Sequence, residues 1–431
     1  MSNTILTNSV YTVSDFEQIK KKVLNWAKRF STFCFLDNHQ YQLEPHAVEC
    51  LLAAGVKRQL TAGAGSALEQ LQSFIDEKNS WLFGHLGYDL KNEIEQLSSS
   101  NPDNLQFPDL FFFEPEVIVR LSEKELEIEA EDPAMVYKEI KEIRINAAGH
   151  NVAAFQIQSR LPQEEYISTV KKLKQHILRG DCYEINFCQE FFAEQCVIDP
   201  LAVYSKLSLI SPNPFSALYR INDKWLLCAS PERFLKRQGN KILSQPIKGT
   251  SKRILNNEFA DNKSKDELFK SAKDRSENVM VVDLVRNDLS RVCKEGTVRV
   301  EELYGVYSFP QVHQMISTVS GELKETIKFT DIIRAAFPMG SMTGAPKKRV
   351  MQLIEQYEKT RRGIFSGAVG YISPGGNFDF NVVIRSIMYN ATVKYLSFEA
   401  GSGITYYSDP ELEWEECLLK AGAIKNVLLG K

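Results

Sequence analysis

The sequence lacks the features of a membrane or secreted protein. No stretch approaches the roughly 20 consecutive apolar residues that span a bilayer, and the N-terminus has no cationic segment followed by an apolar block. Its eight cysteines form no CxxC pattern, so neither a disulfide framework nor a zinc knuckle is expected. We therefore expect a cytoplasmic protein with reduced thiols and no membrane partner.

An excess of one charge is also missing. Lysine and arginine total 52 against 55 aspartates and glutamates, which leaves a net charge of −3. Such a balance gives no general attraction to nucleic acid, so no nucleic-acid partner is expected. A small anionic substrate is still compatible with this balance, because a binding site needs only a few local cations.

Strands and helices alternate without the regularity of a βαβ array, and the 431 residues can form a large core. The pattern predicts an α+β fold with much antiparallel sheet. A polar, alanine-rich stretch suggests a boundary near residue 150, which gives an N-terminal unit, 1–150, and a larger unit, 151–431. Among single elements, 110–130 predicts two strands and 378–389 predicts one.

A hairpin brings together a glutamate and a lysine. The turn Gln238-Gly239-Asn240 separates two β-type stretches, and Glu232 and Lys248 are equidistant from it. Residues placed this way lie opposite or nearly opposite each other in an antiparallel pair. One interpretation is a cross-strand salt bridge. The other is a nucleophilic lysine beside a proton donor, which requires a lowered lysine pKa.

Two predicted helices each carry a pair of carboxylates on one face. Asp274 and Glu277 are three residues apart near the start of a helix at 276–292, and Glu413 and Glu416 follow an Asp-Pro helix start. Solvated helix faces that complement the helix dipole would explain either pair. Together the pairs also suit Mg²⁺, which takes one or two protein carboxylates and completes its shell with water and an anionic substrate.

Glycine-rich turns supply candidate anion sites. The turn 340–349 leads into a helix, where exposed amides and Thr343 could hold an anion. Gly401 and Gly403 end a strand, where the backbone must approach a neighbour closely. Tight turns need glycine without any ligand, so each motif is a weak signal by itself.

Two polar residues interrupt predicted strands. Arg385, between Ile384 and Ile387, is either an edge charge or a buried clamp for a carboxylate. His313 is either a packed histidine or a general base, and the local pattern favours neither interpretation.

In order along the chain, these stretches resemble the chorismate-utilising enzymes. The resemblance runs from about residue 160 to 425, and Trp81–Glu95 also resembles the family's N-terminal part. Its motifs are GDCYEINFCQ, SPERF, PIKGT, DRSENVMVVDLVRNDLSRV, AFPMGSMTGAPKKRVMQLI, GIFSGAVGYIS, IRSI and GSGITYYSDPELEWEE. The resemblance implies large, mostly antiparallel sheets packed as a sandwich with helices outside, formed by two intertwined units.

The lysine of PIKGT distinguishes branches within this family. Anthranilate synthases usually have a small residue at that position, whereas aminodeoxychorismate synthases have lysine, as here. Isochorismate synthases carry a lysine base in their GDxxK stretch, where this chain has Glu184. Glutamine is frequent there in aminodeoxychorismate synthases, so Glu184 departs from the pattern.

The resemblance also implies a mechanism. Lys248 would attack C2 of chorismate while Glu232 protonates the departing C4 hydroxyl, and ammonia would then replace the lysine by attack at C4. Mg²⁺ would be held by Glu277 and Glu416, with Asp274 and Glu413 nearby. The expected substrate-binding residues are Thr250, His313, Thr343, Tyr371, Arg385, Gly401, Gly403 and Lys420.

The implied partners are chorismate, ammonia and a separate glutamine amidotransferase subunit, since the sequence has no Gly-x-Cys-x-Gly elbow of a glutaminase. The product would be 4-amino-4-deoxychorismate, a precursor of p-aminobenzoate and folate. An anthranilate synthase is the nearest alternative. A non-catalytic homologue is disfavoured because Lys248, Glu232 and all four carboxylates are present together.

Overall fold

The computed structural model describes residues 6–41, 49–145 and 155–430. The boundary predicted near residue 150 lies outside these ranges. The helices are α1 Phe16–Ala27, α2 Ala67–Asp76, α3 Lys91–Glu95, α4 Pro133–Glu142, α5 Gln163–Leu178, α6 Pro200–Ile210, α7 Glu258–Lys270, α8 Ala272–Ser290, α9 Phe329–Ala336, α10 Lys347–Tyr357 and α11 Pro410–Leu429.

The strands are β1 Thr7–Thr12, β2 Thr32–Asp37, β3 Cys50–Ala54, β4 Arg58–Ala62, β5 Leu82–Leu86, β6 Leu110–Glu114, β7 Val117–Leu121, β8 Glu125–Ala130, β9 Gln158–Ser159, β10 Glu184–Ala193, β11 Phe215–Ile221, β12 Lys224–Ser230, β13 Arg233–Gln238, β14 Lys241–Gln245, β15 Ile247–Lys252, β16 Arg299–Ser308, β17 Val312–Glu322, β18 Gly344–Ala345, β19 Ala368–Ile372, β20 Phe378–Asn381, β21 Ser386–Asn390 and β22 Tyr395–Ile404.

The strands form two large antiparallel sheets, which we call sheet A and sheet B. Sheet A has the order β1-β8-β7-β3-β2-β11-β12-β21-β22-β10-β18, with β9 paired to β10. Sheet B has the order β15-β17-β14-β13-β20-β19-β5-β6-β4, with β16 paired to β17. Strands from before and after residue 150 therefore share both sheets.

Sheet A separates two apolar cores. In β2, Cys34 belongs to the core between the sheets, whereas Phe33 and Phe35 belong to the core beneath the helices on the other side. This division follows from the two-residue period of a strand. Strands buried on both faces are often continuously apolar, and the fully buried β3, Cys50–Ala54, fits this rule. The predicted α+β sandwich with outer helices is confirmed.

Two strand predictions were wrong, and in each place the chain crosses from one sheet to the other. The stretch 110–130 forms three strands, with β6 in sheet B and β7 and β8 in sheet A. The stretch 378–389 forms β20 in sheet B and β21 in sheet A. The first crossing is at 114–117, Glu-Pro-Glu-Val, where the sequence marks a break but not a change of sheet, and the second is in the largely apolar run 382–385. Strand periodicity does not indicate which sheet a strand joins.

Within the described ranges, no helix combines the length and the apolar character that a membrane crossing requires.

Candidate active site

Lys248 lies at an irregularity of the edge strand β15. The ladder between β15 and β17 shifts register between Ile247 and Thr250, and such a bulge turns a side chain in a new direction. Gly249 adopts φ 95°, and a Cβ there would lie 3.0 Å from the Cβ of Asp274 on α8. Glycine therefore meets both the backbone conformation and the close packing beside the lysine.

The nearest partner of Lys248 is Glu184 at the start of β10, in the other sheet. Lys248 Nζ donates to Glu184 Oε1 at 2.6 Å, and the two side chains are only 11% and 2% exposed. A Cβ on Gly403 of β22 would lie 2.5 Å from Glu184 Oε1 and 2.8 Å from Lys248 Nζ. The missing side chain of Gly403 therefore makes room for a buried ion pair that spans the two sheets.

The predicted hairpin turn is confirmed, since Gln238 pairs with Lys241 and Arg233 pairs with Gln245 across β13 and β14. The chain then leaves β14 at Pro246, and β15 pairs with β17 instead. Glu232 and Lys248 are near enough to influence each other's pKa. The ion pair of the lysine, however, is with Glu184.

Three carboxylates determine the protonation of Lys248. Burial lowers its pKa, but Glu184, Glu277 and Glu232 outweigh burial and hold the pKa above its ordinary value. The lowered pKa expected for a nucleophilic lysine is therefore wrong for this state of the protein. The raised pKa favours the ammonium form of Lys248, so a nucleophilic role would require that the lysine first pass on a proton.

Burial, and not neighbouring charge, has the largest influence on the pKa of Glu232. It is 4% exposed, and its Oε1 accepts a 2.7 Å hydrogen bond from the hydroxyl of Ser341. Burial raises the pKa of Glu232 to about 7, although Ser341, Lys248, the backbone N–H of Ile247 and Arg385 all act to lower it. A carboxyl group that is still partly protonated near neutral pH is suited to general acid catalysis.

The predicted metal-binding carboxylates divide into two kinds. Glu277 on α8 has a buried Oε1 without a hydrogen-bond partner, and burial raises its pKa to about 7. Glu416 on α11 pairs with Lys420 at 2.7 Å. Both carboxylates sense the charges of Lys273 and Lys248, so they face one region.

The other two carboxylates have protein neighbours. Glu413 accepts a hydrogen bond from Ser402, and Asp274 packs against Gly249. In the described part of the chain, no three His, Cys, Asp or Glu residues gather into a metal cage. Glu277 and Glu416 fit a magnesium ion that is completed by water and an anionic substrate, since such an ion needs only one or two protein carboxylates.

Arg385 lies where the chain crosses from β20 to β21, and it adopts φ 50°. That left-handed conformation is uncommon for a residue with a side chain and is often found at functional sites. Burial lowers the pKa of Arg385, while the charge of Glu232 opposes the shift. Of the two interpretations of Arg385, an edge charge is disfavoured, because the side chain is partly buried and close enough to Glu232 to interact with its charge.

Other predicted substrate-binding residues lie at this end of the sheets. The carbonyl of Gly401 accepts a 2.9 Å hydrogen bond from Lys420, and Thr250 lies two residues beyond Lys248 on β15. The hydroxyl of Thr343 is used within its own turn, where it donates to the carbonyl of Met339 at 3.1 Å. Gly344, after this turn, has φ 134°, and its backbone packs on that of Glu184.

Two predicted substrate residues are held elsewhere. Tyr371 is on β19, five strands from β15 in sheet B, and it lines a separate cavity with Asp37 and Asn38. The buried ring of His313 lies between Ser308 Oγ at 2.9 Å and Asp261 Oδ1 at 3.2 Å. The structure does not bring Tyr371 to Lys248, and it gives His313 a complete set of protein partners.

Sequence reasoning missed the role of Ser341 and of the buried Arg362. Ser341 lies inside a motif that carried the family resemblance, and Arg362 lies directly before another, but neither belongs to a local pattern that predicts chemistry. Arg362 is 2% exposed and donates to the carbonyls of Met342 and Asn186 at 2.7 and 2.9 Å. It therefore joins the turn that carries Ser341 to β10, which carries Glu184.

Comparisons with known proteins agree with this arrangement. An anthranilate synthase component I-like protein of Synechocystis sp. is 35% identical over 356 residues, which cover 81% of this chain and 73% of that protein. The aminodeoxychorismate synthase component 1 of Klebsiella aerogenes is 35% identical over 350 residues, which cover 80% of this chain and 76% of that protein.

The fold also matches a solved structure. The anthranilate synthase component I of Streptococcus pneumoniae superposes with a TM-score of 0.77 at 23% identity, covering 90% of this chain and 94% of that one. The family of chorismate binding enzymes matches residues 26–426. With a buried lysine, a buried acid and a family match over nearly the whole sequence, the chain belongs to the chorismate binding enzymes.

Proposed function

We propose that this chain is an aminodeoxychorismate synthase component I, which converts chorismate and ammonia to 4-amino-4-deoxychorismate. The observation that carries the proposal is the position of Lys248, buried at the site between Glu184, Glu277 and Glu232. A lysine there can act as a temporary nucleophile. Relatives with this printed name, such as the Klebsiella aerogenes protein, support the same assignment.

The first half of the reaction begins with a proton transfer. Lys248 gives a proton to Glu184, the carboxylate 2.6 Å away, and the neutral amine attacks C2 of chorismate. Both ring double bonds shift, from C1=C2 and C5=C6 to C1=C6 and C4=C5, the C4–O bond breaks, and Glu232 supplies the proton with which the hydroxyl leaves as water. The partly protonated state of Glu232 near pH 7 supports this role.

The second half reverses the electron flow. Ammonia attacks C4, both double bonds shift back to C5=C6 and C1=C2, and the C2–N bond breaks with its electrons returning to Lys248. The new C4 ammonium returns a proton to Glu232, and Glu184 returns its proton to Lys248. Glu232 and Lys248 return to their starting protonation states, and the net reaction consumes one ammonia and releases one water. The covalent intermediate divides one difficult displacement into two allylic steps.

Magnesium, held by Glu277 and Glu416, would neutralise the carboxylate charge of the substrate when bound. The orphaned Glu277 oxygen is the observation that supports a cation there. Ammonia would come from a glutamine amidotransferase partner, and a lyase would convert the product to p-aminobenzoate for folate synthesis.

Product identification tests the proposal. The protein is incubated with chorismate, ammonium chloride and magnesium chloride, and the products are separated and weighed by mass spectrometry. We expect 4-amino-4-deoxychorismate, which becomes p-aminobenzoate only after a lyase is added. Fluorescent anthranilate formed without a lyase would overturn the proposal.

Anthranilate synthase is the second candidate, because the Synechocystis relative carries a name of that kind. The lysine of PIKGT argues against it, since that position holds a small residue in anthranilate synthases. The product experiment separates the two candidates directly, because anthranilate and aminodeoxychorismate differ in mass and fluorescence.

A further inference from the structure

Ser341 contacts the proposed acid directly. It lies in the 3₁₀ turn Gly340–Met342 and is 5% exposed. Its hydroxyl donates to Glu232 Oε1 at 2.7 Å, and no step of the proposed reaction uses it. A hydroxyl buried against a catalytic carboxyl can determine both where that group points and which oxygen holds its proton.

The turn that carries Ser341 is fixed to β10 by several hydrogen bonds. Asn186 donates through its side chain to the carbonyl of Ser341 at 2.9 Å and through its backbone to that of Thr343 at 2.8 Å. Arg362 donates to Met342 and is itself paired with Glu358 at 2.6 Å. Because these partners are buried, the hydroxyl of Ser341 is held in place.

We propose that Ser341 is a positioning residue, whose hydroxyl fixes the carboxyl of Glu232 and directs its acidic proton to Oε2. A hydroxyl that donates to Oε1 favours the carbonyl form of that oxygen, which leaves Oε2 to carry the proton. The inference rests on the proposed function, in which Glu232 protonates the departing hydroxyl group.

Charged groups from the surrounding elements also face Glu232. Lys248 approaches from β15 and Arg385 from the start of β21, and both lower its pKa. Asp288 of α8 lines the same cavity and is paired with Lys347 at 2.6 Å. Arg233 and Asp379 form an ion pair on the neighbouring strands at 2.9 Å.

Loss of the Ser341 hydroxyl has a predictable sign. Its hydrogen bond stabilises the carboxylate and lowers the pKa of Glu232, so its removal raises that pKa further. General acid catalysis needs the protonated form, and activity is therefore lost as pH rises through this pKa. We call this loss of activity at high pH the alkaline limb of the pH–rate profile. Without the Ser341 hydroxyl, the alkaline limb should move to higher pH, and the maximal rate should fall because the acid is less well oriented.

The chain offers a matched control. Ser244, Glu232 and Ser341 all line one small cavity of about 10 Å³. The change Ser244→Ala removes the same hydroxyl from the same cavity, but it leaves the hydrogen bond between Ser341 and Glu232 in place. A difference between the two variants therefore reports on that hydrogen bond and not on cavity volume.

The experiment measures kcat against pH for wild type, Ser341→Ala and Ser244→Ala, with chorismate and Mg²⁺ saturating and free ammonia held constant. For Ser341→Ala we expect kcat to fall on the order of 10-fold and the alkaline limb to rise by about one pH unit, as for a lost hydrogen bond to an ionisable group. We expect both quantities to match wild type in Ser244→Ala.

An alkaline limb that stays in place in Ser341→Ala, or that moves equally in Ser244→Ala, overturns the inference. If Ser341→Ala does not fold, Ser341→Cys keeps the volume with a weaker donor, and we expect a smaller shift in the same direction; an unchanged limb overturns the inference. Wild type that forms no 4-amino-4-deoxychorismate overturns the proposed function instead, so the two failures are distinguishable.

Discussion

Two buried glutamates at one site have different partners. Glu184, 2% exposed, faces the ammonium group of Lys248, whereas the Oε1 of Glu232, 4% exposed, faces the neutral hydroxyl of Ser341. Burial is nearly equal, so burial alone cannot distinguish their chemistry. In the proposed reaction the contacting group separates the two roles, because Glu184 lies against an ammonium proton that it can accept, whereas Glu232 lies against a neutral hydroxyl and can keep a proton for the substrate. The four predictions below test this contrast.

The largest effect should follow removal of the nucleophile. We expect Lys248→Ala to lower amination on the order of 10³-fold or more, because no other group can form the covalent intermediate. Lys252→Ala, on the same strand but exposed, is the control. Mass spectrometry of protein mixed with chorismate and no ammonia should detect an adduct in wild type and in Lys252→Ala. Full activity in Lys248→Ala would rule out covalent catalysis.

The next largest effect should come from the acid. Glu232→Gln keeps the shape but cannot donate the proton, so we expect kcat to fall about 10²- to 10⁴-fold. In wild type, kcat should decline as pH rises through about 7, where Glu232 loses its proton. The slow residual rate of Glu232→Gln should lack that decline. A wild-type kcat that increases steadily from pH 6 to 9 at constant free ammonia would contradict this assignment.

Glu184→Gln should have a smaller effect with the opposite pH dependence. Lys248 then loses its nearest proton acceptor, and we expect kcat at pH 7 to fall about 10-fold, the typical loss for one charged hydrogen bond. The rate relative to wild type at the same pH should recover as pH rises, because the lysine can lose its proton to solvent while the decline due to Glu232 is common to both proteins. Parallel profiles of Glu184→Gln and Glu232→Gln would mean that the two glutamates share one role.

Steric pressure on the ion pair should give the smallest effect. A Cβ at Gly403 would meet Glu184 Oε1 at 2.5 Å and Lys248 Nζ at 2.8 Å, and these side-chain ends can move. We expect Gly403→Ala to lower kcat several-fold, roughly 3- to 10-fold, with little loss of thermal stability. Gly422→Ala in α11, where a Cβ meets nothing within 4 Å, should keep full activity and stabilise its helix slightly. Wild-type kcat in Gly403→Ala would show that the pair tolerates displacement.

The sequence predicted much of the fold, because local patterns mark local structure. The hairpin turn at 238–241 and the Asp-Pro start of α11 are confirmed. The crossing at Arg385 was missed, because Val382 and Val383 before it and Ile387 after it are buried and apolar, as in a continuous strand. A strand that changes sheets has the same periodicity as one that continues.

The site was predictable in its residues but not in its pairings. Lys248 and Glu232 were related by a turn count, which is a local argument. Glu184 is 64 residues from Lys248, and only the packing of the two sheets brings them together. Tyr371 was assigned by resemblance alone, and the register of sheet B places it in a different cavity.

The contact between Lys248 and Glu184 has a mechanical consequence. Each residue belongs to a different sheet, and the strand crossing at Arg385 joins those sheets nearby. In the proposed reaction, proton transfer across this 2.6 Å contact therefore depends on how the two sheets are aligned, and a shift of one sheet against the other would slow the transfer without unfolding the protein. Core substitutions far from the substrate should then slow the reaction in proportion to how far they shift one sheet against the other.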